Sequence, residues 1–473
     1  MTHPPHGRSG DSAAAPSPPI ECPARLDRVR LTSDLMGHEL RGLYETWRKQ
    51  YGPVVPIELD GGIPAFLVIG RKELQQVCEN EHLYTPDSRQ WSELKEGRVS
   101  DAWPLLPQVT YRENARFMSG AEHMRLRGIL ESGLSQADSQ LTRRVVEQEA
   151  DRLIDQFCES GRADIVADYA APLALLVMLR LMGLSHEDGQ LLLPAIPRLL
   201  EGGEESQRAN DEIISILQRP VAARRRQPEK DLTSWLIHGP FDRHGAGWPP
   251  LSDTEVANQA WLTILAGAGG CTNWIANVME QVVRKTTLHE LLVANMATID
   301  QIMTVTNWEN PPVQNVMGRY ATQDVSLGNC LIPQGSMLVL GLAGASTDPK
   351  ANGTGERISY TLTNESHPAF GAGPHECPAD RLAKVIVRTA IDHFLSRCRA
   401  PYLENPEQPL DWGTSIIVRS LTSLPVAFTP SARTGRDEPD SSSTPGASAR
   451  SARSLFPSQM VEQLKSLSLS ITD

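Results

Sequence analysis

The chain has no run of the roughly 18–20 apolar residues that would cross a bilayer as a helix. Its opening residues, MTHPPHGRSGDSAAAPSPP, lack the apolar stretch of a secretory signal. It also lacks a basic excess: 45 Lys and Arg stand against 57 Asp and Glu, a formal net charge of −12. Nucleic-acid binding leaves a positive footprint, so the charge argues against that class, as the patterning argues against membrane insertion and secretion. Cysteine is sparse and scattered: Cys22, Cys78, Cys158, Cys271, Cys330, Cys377 and Cys398, with no Cys-x-x-Cys pair. An odd number at wide spacing argues against a disulfide framework or a structural zinc site, and fits a reduced, cytoplasmic setting. There, one or two cysteines carry chemistry and the rest are small core residues.

What is present is chain enough, at 473 residues, for one to three domains with ample core. Residues 1–24 are Pro-, Ala- and Ser-rich and are expected to be disordered. From about Pro430 the chain is again polar and turn-rich, so 431–473 reads as a flexible tail. Phe456, Met460, Val461, Leu464 and Leu467 recur there at helical spacing, as in a short terminal helix. Between the two ends, 25–430 shows no internal repeat and reads as one domain. Two β-rich runs around Asp60-Gly61-Gly62 predict a hairpin over 53–70. Long three-four patterns follow, among them EHMRLRGILESGL, LTRRVVEQEADRLIDQFCES and the nearly all-apolar PLALLVMLRLMGL, with Gly183 as its stop. The run Arg224-Arg225-Arg226 reads as a solvated helix end, and short strands are expected near 318–340. The fold class is mainly α with small β-sheets.

The most informative segment is SHPAFGAGPHECPADRLAKVIVRTAIDHFL, residues 366–395. Cys377 stands between a turn-rich loop containing Gly371 and Gly373 and an amphipathic helix. Unpaired N–H groups and the helix dipole at such a place favour the metal-binding thiolate, and glycines let backbone approach a flat ligand closely. The string FGAGPHEC resembles the heme-binding loop of the cytochrome P450 family, F-G-x-G-x-[HR]-x-C-x-G. Phe370, Gly371, Gly373, His375 and Cys377 match, and Ala379 replaces the last glycine.

Further landmarks follow the family's order. AEHMRLR carries H-x-x-x-R as His123 and Arg127, which the resemblance makes heme-propionate partners on one helical face. GRYATQDVSLG places Arg319 where the family has another propionate-binding arginine. ASTDP, ending at Pro349, and RSLTSLPVAFTP resemble the family's late turn and closing strands. The likeness spans about 25–430.

Two departures stand out. The central segment LSDTEVANQAWLTILAGAGGCTNWIANVMEQVV opens on a capping box, Ser252-x-x-Glu255. Against the family's A-G-x-[DE]-T, Ala266 and Gly267 match, but Gly269 and Gly270 replace the acid and the alcohol that relay protons during oxygen activation. Either Thr272, expected on the oxygen side, Asn273, water or the substrate supplies the relay, or the chemistry is not ordinary hydroxylation. The three glycines of AGAGG weaken a helix by roughly 1 kcal/mol each and leave room for a ligand or a bulge. LAGAGGCT also partly resembles a dinucleotide fingerprint, but it follows a capped helix rather than a strand. Second, the family's E-x-x-R ion pair is missing: its positions fall at Val305 and Trp308, in a stretch that reads as a degraded helix. Losing both partners is physically tolerable, because apolar groups can replace a buried pair at little cost. The meander ANGTGERISYTLTNES is likewise eroded.

The resemblance implies a heme-thiolate monooxygenase of secondary metabolism, holding heme b. It makes Cys377 the iron ligand and assigns propionate contacts to His123, Arg127, Arg319 and His375. Phe370, Gly371 and Gly373 would shape the heme loop, and Ala266, Gly267 and Thr272 would line the oxygen side. It implies a small apolar substrate, and a ferredoxin with its reductase as partners. The missing acid and alcohol keep open an alternative: a heme-binding relative that is an auxiliary partner, a ligand-binding protein or a peroxide-using enzyme.

Overall fold

The computed structural model of the chain describes residues 28–32, 35, 40–200, 203–239, 247–328, 330–349 and 366–435. The expectations for residues 1–24, the terminal helix and the eroded meander lie outside these. Eleven strands are described: β1 (Val29–Arg30), β2 (Val54–Leu59), β3 (Ile63–Val68), β4 (Tyr84–Thr85), β5 (Arg162–Asp164), β6 (Asn315–Ala321), β7 (Val325–Leu327), β8 (Cys330–Ile332), β9 (Met337–Gly341), β10 (Arg399–Leu403) and β11 (Pro425–Thr429). They form a six-stranded sheet in the order β1-β2-β3-β9-β6-β4, a three-stranded sheet β10-β11-β5 and the pair β7-β8. The predicted hairpin is β2–β3, closing at Leu59 opposite Ile63. Gly61 and Gly62 take φ of +80° and +76° there, which the Gly-Gly pair allows without strain.

The helices that build the interior are α1 (Gly120–Leu134), α2 (Ser139–Phe157), α3 (Ala171–Leu181), α4 (Gly203–Arg226), α5 (Asp253–Arg284), α6 (Ile299–Glu309) and α7 (Asp380–Arg397). Their apolar stripes meet in one core: Val146 and Ile154 of α2, Leu173 and Val177 of α3, Ile275 and Val278 of α5, and Ile391 and Phe394 of α7 are all fully buried. Tyr169, also buried there, donates its hydroxyl to the Ala390 carbonyl at 2.6 Å. A second core joins α1, α4 and the N-terminal half of α5 through Ile129, Ile213 and Val256. A third lies on the large sheet around Ile57, Leu67, Trp91 and Tyr320.

Gly183 follows α3 at φ +73°, as its position after the apolar run predicts. The capping box forms at the head of α5: Ser252 accepts from the Glu255 N–H, and Glu255 accepts from the Ser252 N–H at 2.7 Å. Replacing Ser252 with alanine is expected to cost about 1 kcal/mol, read as a fall in the urea midpoint.

Four expectations change. α6 is an intact helix of 11 residues, opened by a Thr298–Gln301 capping box, where a degraded helix was expected. Within the arginine run only Arg224 departs from a solvated end: it is half-buried and pairs with Asp231 and with Glu229 at 2.9 Å, whereas Arg225, paired with Asp253, and Arg226 are exposed. Residues 431–435, assigned to the tail, are tied to the domain: the Ser431 N–H donates to Cys158 O at 3.0 Å and Thr434 bonds Asp155 at the end of α2, while 436–473 lie outside the described residues. Cys330 is disulfide-bonded, against a wholly reduced set.

Candidate heme site

The Cys377 loop is built from tight backbone bonds. The Gly371 N–H donates to Pro368 O at 2.8 Å, the Glu376 N–H to Gly373 O at 2.9 Å, and the Cys377 N–H to Phe370 O at 2.8 Å. Gly371 and Gly373 take φ of +77° and +67°. A Cβ on Gly373 would also stand 2.5 Å from the Cys78 carbonyl oxygen, so only glycine fits at this approach. Ala379 has φ −111°, an ordinary value, so the family's last glycine is dispensable here. The loop delivers Cys377 to the head of α7. Burial raises its thiol, and the Ala379 N–H acts in the opposite direction.

Cys377 lines a cavity of about 340 Å³. Phe370, Gly371, His375, Arg127 and Arg319 line the same space. Arg319 arrives by a bulge: the β6–β9 register shifts between Val316 and Arg319, with Gly318 at φ +90°. Arg127 lies one turn from His123 on α1 and pairs through Nε with Glu131 at 2.6 Å. His123 and His375 stack at 3.9 Å between ring centroids, 16° apart. Glu81 joins them, its Oε1 lying 3.1 Å from His123 Nδ1 and 2.7 Å from His375 Nε2. Despite its partial burial, these contacts hold the Glu81 carboxyl well below the usual range. Burial brings His375 down to about 3, so it stands neutral, with its one N–H directed at Glu81.

Across the cavity runs α5, continuous through AGAGG and free of a bulge. The dinucleotide-fingerprint reading fails on this point, since the segment is mid-helix. Thr263, Ala266, Gly267, Gly270, Cys271 and Trp274 of α5 face the cavity, positions that share one helical face. Thr272 does not line it and is buried elsewhere, so the expected oxygen-side threonine is on the wrong face. Thr263, two turns before Gly270, is the hydroxyl that α5 does present. A Cβ on Gly267 would stand 2.8 Å from Met178 Cε, whereas one on Gly270 meets nothing within 4 Å.

Behind the loop, the positions of the missing ion pair are apolar: Val305 and Trp308 of α6 are 0% and 3% exposed. A neutral contact stands nearby. Asn307 Nδ2 lies 3.3 Å from His367 Nε2, Trp308 meets the His367 ring edge-on, and His367 packs against Phe370.

No protein-family profile matches the chain. It is 27% identical over 423 residues to the 2-hydroxy-5-methyl-1-naphthoate 7-hydroxylase of Streptomyces carzinostaticus, covering 86% of this chain and 97% of that protein. It is 26% identical to the mycinamicin IV hydroxylase/epoxidase of Micromonospora griseorubida, over 66% of this chain and 79% of that one. The solved structure of CYP154C4 from Streptomyces sp. W2061 superposes with a TM-score of 0.75 at 24% identity, covering 86% of this chain and 98% of that one. The chain belongs to the cytochrome P450 family. It is therefore an oxidoreductase of the monooxygenase type, and heme b is its cofactor.

The residues present fit that group. A P450 heme brings two carboxylates and needs a thiolate. Among the described residues the cavity is lined by no Asp or Glu, it holds two of the expected arginines, and the buried Nε2 of His123 has no partner. That nitrogen is a hydrogen-bonding group left for something the chain itself does not supply. No described helix is long and apolar enough to cross a membrane.

Proposed function

We propose that this P450 inserts one oxygen atom into a small, largely apolar organic substrate, with electrons from a ferredoxin and its reductase, in the cytoplasm. The heme domain would be residues 25–430. The observation carrying this reading is the convergence of Cys377, Arg127, Arg319 and His375 on one cavity crossed by α5. The hydroxylase and epoxidase named above support the reaction class.

When bound, heme supplies the electron-transfer and oxygen-activating chemistry. Cys377 would be its thiolate ligand, held by the Phe370 carbonyl and the Ala379 N–H. Arg319 and Arg127 would receive the propionates as charge-assisted donors, with His123 Nε2 and the His375 ring beside them. Phe370 packs edge-on against Trp274 at 5.6 Å and narrows the space beside the loop. Leu130, Leu134, Met178 and Leu382 give the substrate apolar walls and exclude water.

Proton delivery is where this chain differs. The protic side chains that α5 turns to the cavity are Thr263, Cys271 and Trp274. Thr263 donates to Gln259 O at 2.7 Å, and burial pushes the Cys271 thiol up to about 12, so both hold their protons at neutral pH. Gly270→Thr would place a hydroxyl in open space on the cavity face. Product formed per electron pair consumed is expected to rise, with a rate gain of about 100-fold, the low end of what a positioned proton donor supplies. Helix propensity changes by only a few tenths of a kcal/mol in its favour. Unchanged coupling would show that water, substrate or Cys271 already fills the role.

A further inference from the structure

The cavity contains a cation to which the heme reading above assigns no role. Arg116 lines it together with Arg127 and Arg319, and no carboxylate lies on the wall among the described residues. Arg127 has Glu131, and Arg319 projects from β6 beside the expected propionate donors. Arg116 comes instead from the connection leading into α1. Among the described residues its side chain has one hydrogen bond, from Nη2 to Gln108 O at 3.3 Å, and no acidic partner.

This arginine is held in place. Its N–H donates to Asn114 Oδ1 at 3.0 Å, and its guanidinium lies 5.5 Å from the Phe117 ring centre. The neighbouring Ala115 N–H reaches Gln259 Oε1 of α5 at 3.5 Å, and Gln259 Nε2 donates to Leu126 O of α1 at 3.2 Å. The loop is thereby clamped to the two helices that frame the cavity. Burial, with the like charge of Arg319 second, pulls the Arg116 guanidinium down to about 10, so it keeps its charge at neutral pH. A half-buried guanidinium facing a cavity with no acid among its described lining residues is costly until an anion arrives. A carboxylate matches its fork geometry in two parallel bonds, whereas an amine would find no counter-charge on the wall.

We propose that the substrate carries a carboxylate, and that Arg116 anchors it while the apolar walls hold the remainder. This rests on the P450 reading above and adds to it the class of substrate. The anchor is preorganised by Asn114 and Gln259, so little ordering is needed on binding.

The test uses the full-length heme-loaded protein and follows ferric-heme absorbance while two matched pairs are titrated: 2-naphthoate against 2-naphthamide, and decanoate against decanamide. The acid should bind more tightly than its amide by on the order of 10- to 100-fold, the range of a buried charge-assisted hydrogen bond. Arg116→Gln should weaken the acid by the same order, leave the amide within about twofold, and leave heme content and urea midpoint at the parent values. Arg116→Lys should restore part of the acid preference. Equal binding of acid and amide in both pairs, or no binding of any probe, overturns the inference while the P450 reading stands. So does an Arg116→Gln protein that takes up less heme while its remaining heme-loaded fraction keeps the acid preference, because Arg116 would then serve a propionate. A parent protein that takes up no heme refutes the heme reading itself, and this inference with it.

Discussion

Cys377→Ser is expected to abolish the thiolate band of the reduced, carbon-monoxide-bound protein, and turnover with it. The loss should exceed the roughly 10- to 100-fold that removal of a supporting partner costs at a metal site, because here the ligand itself goes. Heme should still enter, since Arg127, Arg319, His123 and His375 are untouched. The control matters because three cysteines line the cavity: Cys78, Cys271 and Cys377. Burial raises the thiol of each, Cys271 to about 12 with the nearby Cys377 adding to it. Cys377 alone combines partial exposure with a position at the head of α7 and the neighbouring Ala379 N–H. Cys78→Ser and Cys271→Ser should therefore leave the band in place. A band that survived Cys377→Ser and vanished with Cys271→Ser would move the ligand onto α5 and refute the site.

The loop was legible because its chemistry is local. Positive φ at Gly371 and Gly373 and the short spacing to Cys377 are written in consecutive residues, as is the β2–β3 turn at Gly61-Gly62. Thr272 was misread for an equally local reason. It was chosen by closeness to Gly270, yet two residues along a helix turn a side chain by roughly 200°. Counting back from Gly267 by four would have found Thr263. Glu81 and Arg116 lay beyond such reading, because nothing in their own segments shows what they face. The Asn307–His367 contact spans 60 residues, and no spacing rule connects them. The sequence did show that the ion pair was absent from α6. Only packing shows that an ordered apolar and neutral arrangement stands in its place.

That arrangement makes a second large prediction. Val305→Glu restores half of the family's ion pair, at a position with no exposure. The carboxylate would be buried in α6 without a cation, and the expected loss is about 3–5 kcal/mol in chemical denaturation, the cost of an uncompensated buried charge. Adding Trp308→Arg supplies the family's partner one turn away, and some of that loss should return through the pair. It should not return fully. Removing Trp308, 3% exposed, takes a large ring from the core and breaks its edge-on contact with His367, and truncating such a side chain costs about 3–5 kcal/mol alone. Arginine refills part of that volume but brings a charge that must be desolvated. The double variant is thus expected below the parent in urea midpoint and above Val305→Glu, with reduced heme retention, since His367 packs between α6 and Phe370 of the Cys377 loop. A double variant more stable than the parent would mean that α6 still offers a site built for charges, and that the neutral contact is a remnant rather than a replacement.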